Sequence, residues 1–397
     1  MKRAPAQARP LISCDTHLVP PPWLLNELPS NLRDHVEQTV PRIEEGNGRR
    51  YLTFRPAMKQ LMNAWNLPTD SLEVGGDDEL AQLLHQSFNV DPTATMSFEP
   101  KGRLEDLARD NVAAAVLITN VSIELNRAPS AVDAQIAYAQ VVNDWVADTY
   151  RDYLHCFAPG IMLPWLDPQA CVTELERCAA KGMRPGLLPD AVWDSPYWQS
   201  QWEPLWEAAD GIGIPLSFHV GGTSSPETSN LDSIVAMAQE SCPGAMYESF
   251  YTGSVMGGRT LMWFTMSGLL QKYPNLQCVI TECYGFWLAG LMQLTDHLYR
   301  SRFATTQAAS NPPKLDALPS EYIKRQCKVT FMWDPQAIRN RDVTGTDCLL
   351  WANDYPHPEG LFPDSAAYNE QQFAGVPEED IHKITYSNGA TLFGFDV

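Results

Sequence analysis

The chain has 397 residues, 44% apolar and 19% charged, enough to bury a large core and too apolar for a disordered tail. Its 28 Lys and Arg stand against 48 Asp and Glu, and the net charge of -20 argues against a phosphate-backbone ligand. No run approaches the ~20 uninterrupted apolar residues of a membrane helix. The basic N-terminus lacks the apolar stretch of a secretory signal, and nine Cys without a CxxC pair read as reduced thiols of a cytoplasmic protein.

Eight short apolar runs follow in chain order: Leu11–His17, Ala113–Asn120, His155–Leu163, Met183–Pro189, Pro215–Val220, Gln277–Cys283, Cys327–Trp333 and Cys348–Asp354. Near-continuous apolar runs suit strands buried on both faces of a parallel sheet. The segments between them read as helices. Over Ala131–Tyr150, Ile136, Ala139, Val142, Val146 and Tyr150 recur at three- and four-residue spacing, an inward stripe. Pro168–Ala180 opens on Asp167-Pro168, a cap and first-turn pair, and Trp202–Ala209 and Thr260–Leu270 behave similarly. Eight such units predict the α/β class: a (β/α)8 TIM barrel forming one domain over 1–397, with an open doubly wound sheet as the alternative. Three segments stand outside the repeat. A long, irregular insertion (18–100) follows the first strand, a second (221–253) follows the fifth, and Thr305–Ser320 precedes the seventh. The first two leave strand C-terminal ends, which makes them candidate lids and pocket walls.

Ionisable residues collect at those same strand ends. Strand one ends in Asp15-Thr16-His17, whose first and third residues share a face; strand five ends in His219, strand six in Glu282, and strand eight in Asp354-Tyr355-Pro356-His357. Each has a plainer reading: His219 as a hydrogen-bonded core residue, Asp354 as a turn former, Glu282 as a helix cap. Together they are three imidazoles and three carboxylates at one mouth. Burying them is costly unless they pair or bind metal, and a metal accounts for all six.

These motifs resemble the amidohydrolase-related branch of the metal-dependent amidohydrolase superfamily over essentially the whole chain. The resemblance rests on Asp15-Thr16-His17 with Pro20, on Trp206-Glu207-Ala208-Ala209 followed by Gly213 to His219, and on Tyr273-Pro274-Asn275-Leu276 leading to Glu282. Asp354 to His357 and Asn388-Gly389-Ala390 complete it. It implies that His17, His219 and Asp354 bind metal. Three departures stand out: Asp-x-His replaces the two His of many relatives, no Lys stands at strand four (only Arg184), and Glu282 replaces the acid/base His of the family's decarboxylases.

The set Asp15, His17, His219, Glu282, Asp354 and His357 exceeds one four-coordinate zinc and suits two ions, iron or iron with manganese, with zinc possible. With Glu282 and His357 added, the chain resembles the superfamily's non-haem dinuclear monooxygenases, which implies dioxygen as co-substrate and hydroxylation of an aliphatic carbon of a small organic acid, amino acid or natural-product intermediate. The second expectation is a hydrolase or decarboxylase acting on a carboxylate-bearing substrate, with Glu282 or His357 as catalytic base. A non-catalytic subunit ranks last. A small molecule is the expected partner, in a homo-oligomer or a hetero-oligomer with a related subunit. Trp23, Trp65, Trp193, Trp198, Trp333 and Trp351 are candidate pocket walls, and Arg55 a candidate contact for a substrate carboxylate.

Overall fold

In the computed structural model, which describes residues 10–37, 40–53, 59, 71–86, 94–119, 131–192, 195–220, 245–301, 314–357 and 359–396, the apolar runs form the parallel staves of a barrel. β1 (Leu11–Leu18) precedes an antiparallel sheet of β2 (Arg42–Gly46), β3 (Arg49–Thr53) and β4 (Leu72–Val74). The barrel resumes with β5 (Val112–Thr119), β6 (Phe157–Pro159), β7 (Ile161–Met162), β8 (Gly186–Pro189), β9 (Leu216–His219), β10 (Cys278–Thr281), β11 (Cys327–Phe331) and β12 (Leu349–Trp351).

The staves pair as two runs, β1-β5-β6 and β7-β8-β9-β10-β11-β12. Gly160 joins them: its N–H donates to the Leu117 carbonyl at 2.9 Å, and a Cβ there would stand 2.6 Å from Leu187 Cδ1. A side chain does not fit, so the single predicted strand His155–Leu163 is divided at this glycine. The ring closes opposite, where Thr16 bridges Tyr355 in parallel and the His17 N–H donates to the Tyr355 carbonyl at 2.7 Å. Consecutive staves are therefore neighbours all the way round, as the barrel prediction required.

The helices cover the outside. Ala131–Tyr150 buries Ala139, Val142, Val146 and Tyr150, although Ile136 is only half-buried. Asp167 caps Pro168–Ala179 by accepting from the Gln169 amide at 2.8 Å. The helix expected over Thr260–Leu270 instead runs Ala245–Met266, and Gly268, at φ 79, separates it from the turn Leu269–Lys272. The closing helix Asn388–Phe393 seals the base: Asn388 donates to the Thr346 and Leu349 carbonyls at 2.8 and 2.9 Å, and Gly389 lies so close to β1 that a Cβ would sit 2.8 Å from Cys14 Sγ.

The first insertion is more ordered than its composition suggests. Besides β2–β4 it holds helices Ser30–Val36 and Asp77–Gln86, the former packed on Ala131–Tyr150. Its strands are charged and half-exposed, held partly by Arg49–Glu73 and Arg50–Asp77 pairs at 2.7 and 2.8 Å, so hydrophobic patterning does not announce them. Residues 221–244 of the second insertion, and Arg55, Trp65 and Trp193, lie outside the described residues. Among the described residues eight cysteines are free and buried, and no helix is long and apolar enough to cross a membrane.

Candidate metal centre

Six side chains meet at the C-terminal mouth because of local backbone features. Against β5, β1 advances three residues, from Ser13 to Thr16, while its partner advances two, a bulge beside Asp15. Ser13 Oγ donates to Asn353 Oδ1 at 2.9 Å, tying this bulge to the residue before Asp354. Glu282 and Asp354 both adopt left-handed backbone, at φ 59 and 55, which is uncommon for a non-glycine residue. The Glu282 amide donates to Thr330 Oγ1 at 2.7 Å. Thr16 and Asn353 turn outward, Thr16 donating to the Val116 carbonyl at 2.7 Å and Asn353 to Asp110 at 3.0 Å.

His219 Nδ1–H donates to the Val220 carbonyl at 2.7 Å, which leaves Nε2 bare toward the mouth. That nitrogen lies 3.3 Å from Glu282 Oε2 and 3.7 Å from Asp15 Oδ1. His17 Nε2 is 3.0 Å from Asp354 Oδ1, 3.5 Å from Asp15 Oδ1 and 3.9 Å from Glu282 Oε2. His357 stacks on His17 with ring centroids 3.7 Å apart, its Nδ1 3.3 Å from Asp354 Oδ2. Donors held by one ion at ~2.1 Å stand roughly 3–3.5 Å apart, so these separations suit coordination. Two overlapping sets result, Asp15-His17-His219-Glu282 and His17-Glu282-Asp354-His357. All six predicted site residues are in one or both.

The electrostatics point the same way. Burial, then Asp354, Asp15 and Glu359, push the Glu282 carboxyl well up. Burial opposes the charge on Asp354 too, but His357 and His17 outweigh it and hold that carboxyl well below the usual range. Burial and His357 push His17 down, whereas carboxylate neighbours raise His219 and His357 in spite of burial. Both Asp15 oxygens, both Asp354 oxygens and His219 Nε2 are buried without a well-formed hydrogen bond. Buried acids concentrated this way call for a compensating cation, and the nitrogen and oxygen donors fit a divalent one.

Sequence reasoning missed the groups that hold this cluster. Fully buried Arg103 donates to the His17 carbonyl at 2.8 Å and lies over the Tyr355 ring, whose hydroxyl donates to Asp106 at 2.6 Å. One helix, Pro100–Arg109, thereby clamps both ligand-bearing ends, those of β1 and β12. Glu359, 3.9 Å from His357, had a signal in its spacing two residues beyond; Arg103, just past the end of the first insertion, had none. No Lys stands at the end of β8, where buried Asp190 follows Pro189. Of the tryptophans expected to wall a pocket, Trp351 is buried within β12 and Trp23 packs on Phe98, while Trp198, packed on Trp263, and Trp333 each line a cavity.

A family model described as Amidohydrolase matches residues 12–395. The chain belongs to the amidohydrolase family. The fold of this amidohydrolase is shared by a 5-carboxyvanillate decarboxylase from Sphingomonas paucimobilis (18% identity, 98% of this chain and 100% of that one, TM-score 0.66). An amidohydrolase from Mycobacterium avium subsp. paratuberculosis K-10 is similar (16%, 99% and 100%, TM-score 0.68). So is a dihydroxybenzoic acid decarboxylase from Polaromonas sp. JS666 with bound manganese and the inhibitor 2-nitroresorcinol (16%, 98% and 97%, TM-score 0.61). No curated protein matches the chain.

Proposed function

We propose that this amidohydrolase is a cytoplasmic, metal-dependent carboxy-lyase or hydrolase acting on a small carboxylate-bearing molecule. One observation carries the reading: Asp15, His17, His219 and Glu282 form one donor set, while in the set that overlaps it His357 Nδ1 faces Asp354 Oδ2 at 3.3 Å. A divalent ion held by the donor set supplies Lewis acidity toward a substrate carboxylate or carbonyl. Asp354, turned to both His17 and His357, fixes the orientation of the two stacked rings. His357 then holds or delivers the proton that C–C or C–X cleavage requires, the part played by a strand-six His in the decarboxylases that the motifs resemble. Glu282 occupies that strand-six place here, which is why the proton work falls to His357.

The overlap of the two sets supports a second reading, a dinuclear iron or iron–manganese oxygenase. In that reading Asp15, His17 and His219 would hold one ion and Asp354 and His357 a second, with Glu282 within reach of both. The test is metal analysis of protein purified without added metal, with carbon dioxide release and oxygen uptake measured across carboxylate substrates. One equivalent per chain, with product formed under anaerobic conditions, supports the first reading. Two equivalents of iron or manganese with oxygen consumption overturns it.

A further inference from the structure

The helix Ala245–Met266 is apolar on its outer face as well as on the face that meets the barrel. Gly257, Leu261 and Phe264 are buried on the inner side. Tyr251, Val255, Arg259, Met262, Trp263 and Met266 recur at three- and four-residue spacing on the other side, Tyr251 exposed and the rest half-buried. Over positions 251–266 Arg259 is the single charged residue. Other barrel helices differ: Pro168–Ala179 exposes Gln169, Thr173 and Glu176, and Pro319–Gln326 exposes Glu321, Lys324 and Arg325. A helix that is apolar all round is normally covered all round.

Both ends of the outer stripe widen into aromatic clusters. Toward Met266, Trp198 packs edge-on against Trp263 with ring centroids 4.5 Å apart, and the Arg259 guanidinium lies 5.1 Å over the Trp263 ring. With Met262 and Met266 they line a groove of about 390 Å³. Around Tyr251, Phe286 stacks on it at 6.2 Å, and Trp333 follows with Tyr368 edge-on at 5.7 Å. Trp198, Tyr251, Trp333 and Tyr368 are 53, 63, 37 and 41% exposed, which amounts to on the order of 400 Å² of aromatic surface. An apolar patch of that size marks an interaction site, and it is about half of the ~800 Å² that one partner of a stable dimer commits. The half-buried stripe between the clusters adds to it.

We propose that this band is the surface on which two copies of the chain associate, helix Ala245–Met266 against its mate across a two-fold axis. Charge argues for a second copy. Two chains of net charge -20 repel wherever their acids face each other, and positions 251–266 hold no acid, so here they can approach. The same net charge opposes an anionic lipid surface. An isologous contact uses one patch twice, so a face that is apolar along its length is matched by its own copy. This association does not depend on the reaction at the metal centre.

Sedimentation equilibrium of the full-length, manganese-loaded protein over a range of concentrations measures it. The wild type should be a dimer, and added sodium chloride should tighten it by screening the net charge. Trp198→Glu and Tyr251→Glu should each raise the dimer dissociation constant by ~30-fold or more, the scale of one interface hot spot. Both residues are more than half exposed in the single chain, so unchanged manganese content and circular dichroism will show that the variants are folded. Thr173→Glu, on the exposed face of Pro168–Ala179, should leave the constant unchanged. A wild type that is monomeric at every concentration overturns the proposal, whether the band is then covered by the chain's own residues or by another protein. So does a dimer that both Glu substitutions leave intact, since its contact lies elsewhere, or one that added salt dissociates. Co-sedimentation of the wild type with phosphatidylcholine vesicles, lost in Trp198→Glu, would assign the band to a lipid surface instead.

Discussion

His219 and His357 are chemically alike, yet their surroundings give them different work. His219 has one nitrogen committed to a backbone carbonyl and the other bare between Asp15 and Glu282, the presentation of a ligand. His357 faces Asp354 and Glu359, the presentation of a proton carrier. His219→Ala should therefore purify without bound manganese, since removing one of four donors leaves the remaining acids too few to hold the ion. His357→Gln should retain one equivalent and lose turnover by a factor on the order of 10²–10⁴, typical of acid–base catalysis. Metal content by elemental analysis reads the first, and product release on any carboxylate substrate turned over by the wild type reads the second. Loss of metal from His357→Gln would transfer that residue to the ligand set.

Whole elements fix these residues in place. Behind β10 runs the helix Ala245–Met266, and it can lie so near only because residue 257 is glycine. A Cβ at Gly257 would stand 2.3 Å from Ile280 Cγ2 and 2.9 Å from Cys283 Sγ. Ile280 lies in β10 and Cys283 follows Glu282 directly, so the collision would be transmitted to the strand end. Gly257→Ala should destabilise the fold by ~1–3 kcal/mol, the usual range for overpacking, although helix propensity alone favours alanine there. Thermal or urea unfolding will show the loss, and metal affinity should fall with it as Glu282 is displaced. Stability equal to or above that of the wild type would mean that the helix shifts freely.

The molecule as a whole concentrates negative charge at the open end of a barrel of short parallel strands. Asp15, Glu282, Asp354 and Glu359 sit within one another's fields, and a divalent ion relieves their repulsion. Chelation should lower the unfolding temperature, and saturation at ~100 times the dissociation constant should stabilise the fold by about 2.7 kcal/mol. The effect depends on pH with a definite sign. In the metal-free protein Glu282, His219 and His357 all hold protons above their ordinary values, and those on Glu282 and His219 must leave for the ion to bind. Metal affinity should thus rise with pH and protons should be released on binding. Calorimetric titration in buffers of different ionisation enthalpy measures both, and a pH-independent affinity would show that these residues are not the ligands.

The sequence by itself determined the barrel and the composition of its mouth. Runs such as Gln277–Cys283 carry consecutive rather than alternating apolar residues (Cys278, Val279, Ile280), as strands covered on both faces do, and their terminal acids and imidazoles fall at one end by the direction of the chain. It also determined that Asp15 and His17 face one way, since strand periodicity is local. Tertiary structure decided the rest. The split of the third stave at Gly160 arises from Leu117 and Leu187, far away in sequence, and the antiparallel sheet of the first insertion depends on cross-strand pairing that polar segments do not advertise. The division of six donors into two overlapping sets, and the clamp of Arg103 and Asp106 on the ends of β1 and β12, follow from side-chain directions set by a bulge and by left-handed backbone. A sequence states which groups arrive at a mouth; the distances that give each group its chemistry exist only once the barrel has closed.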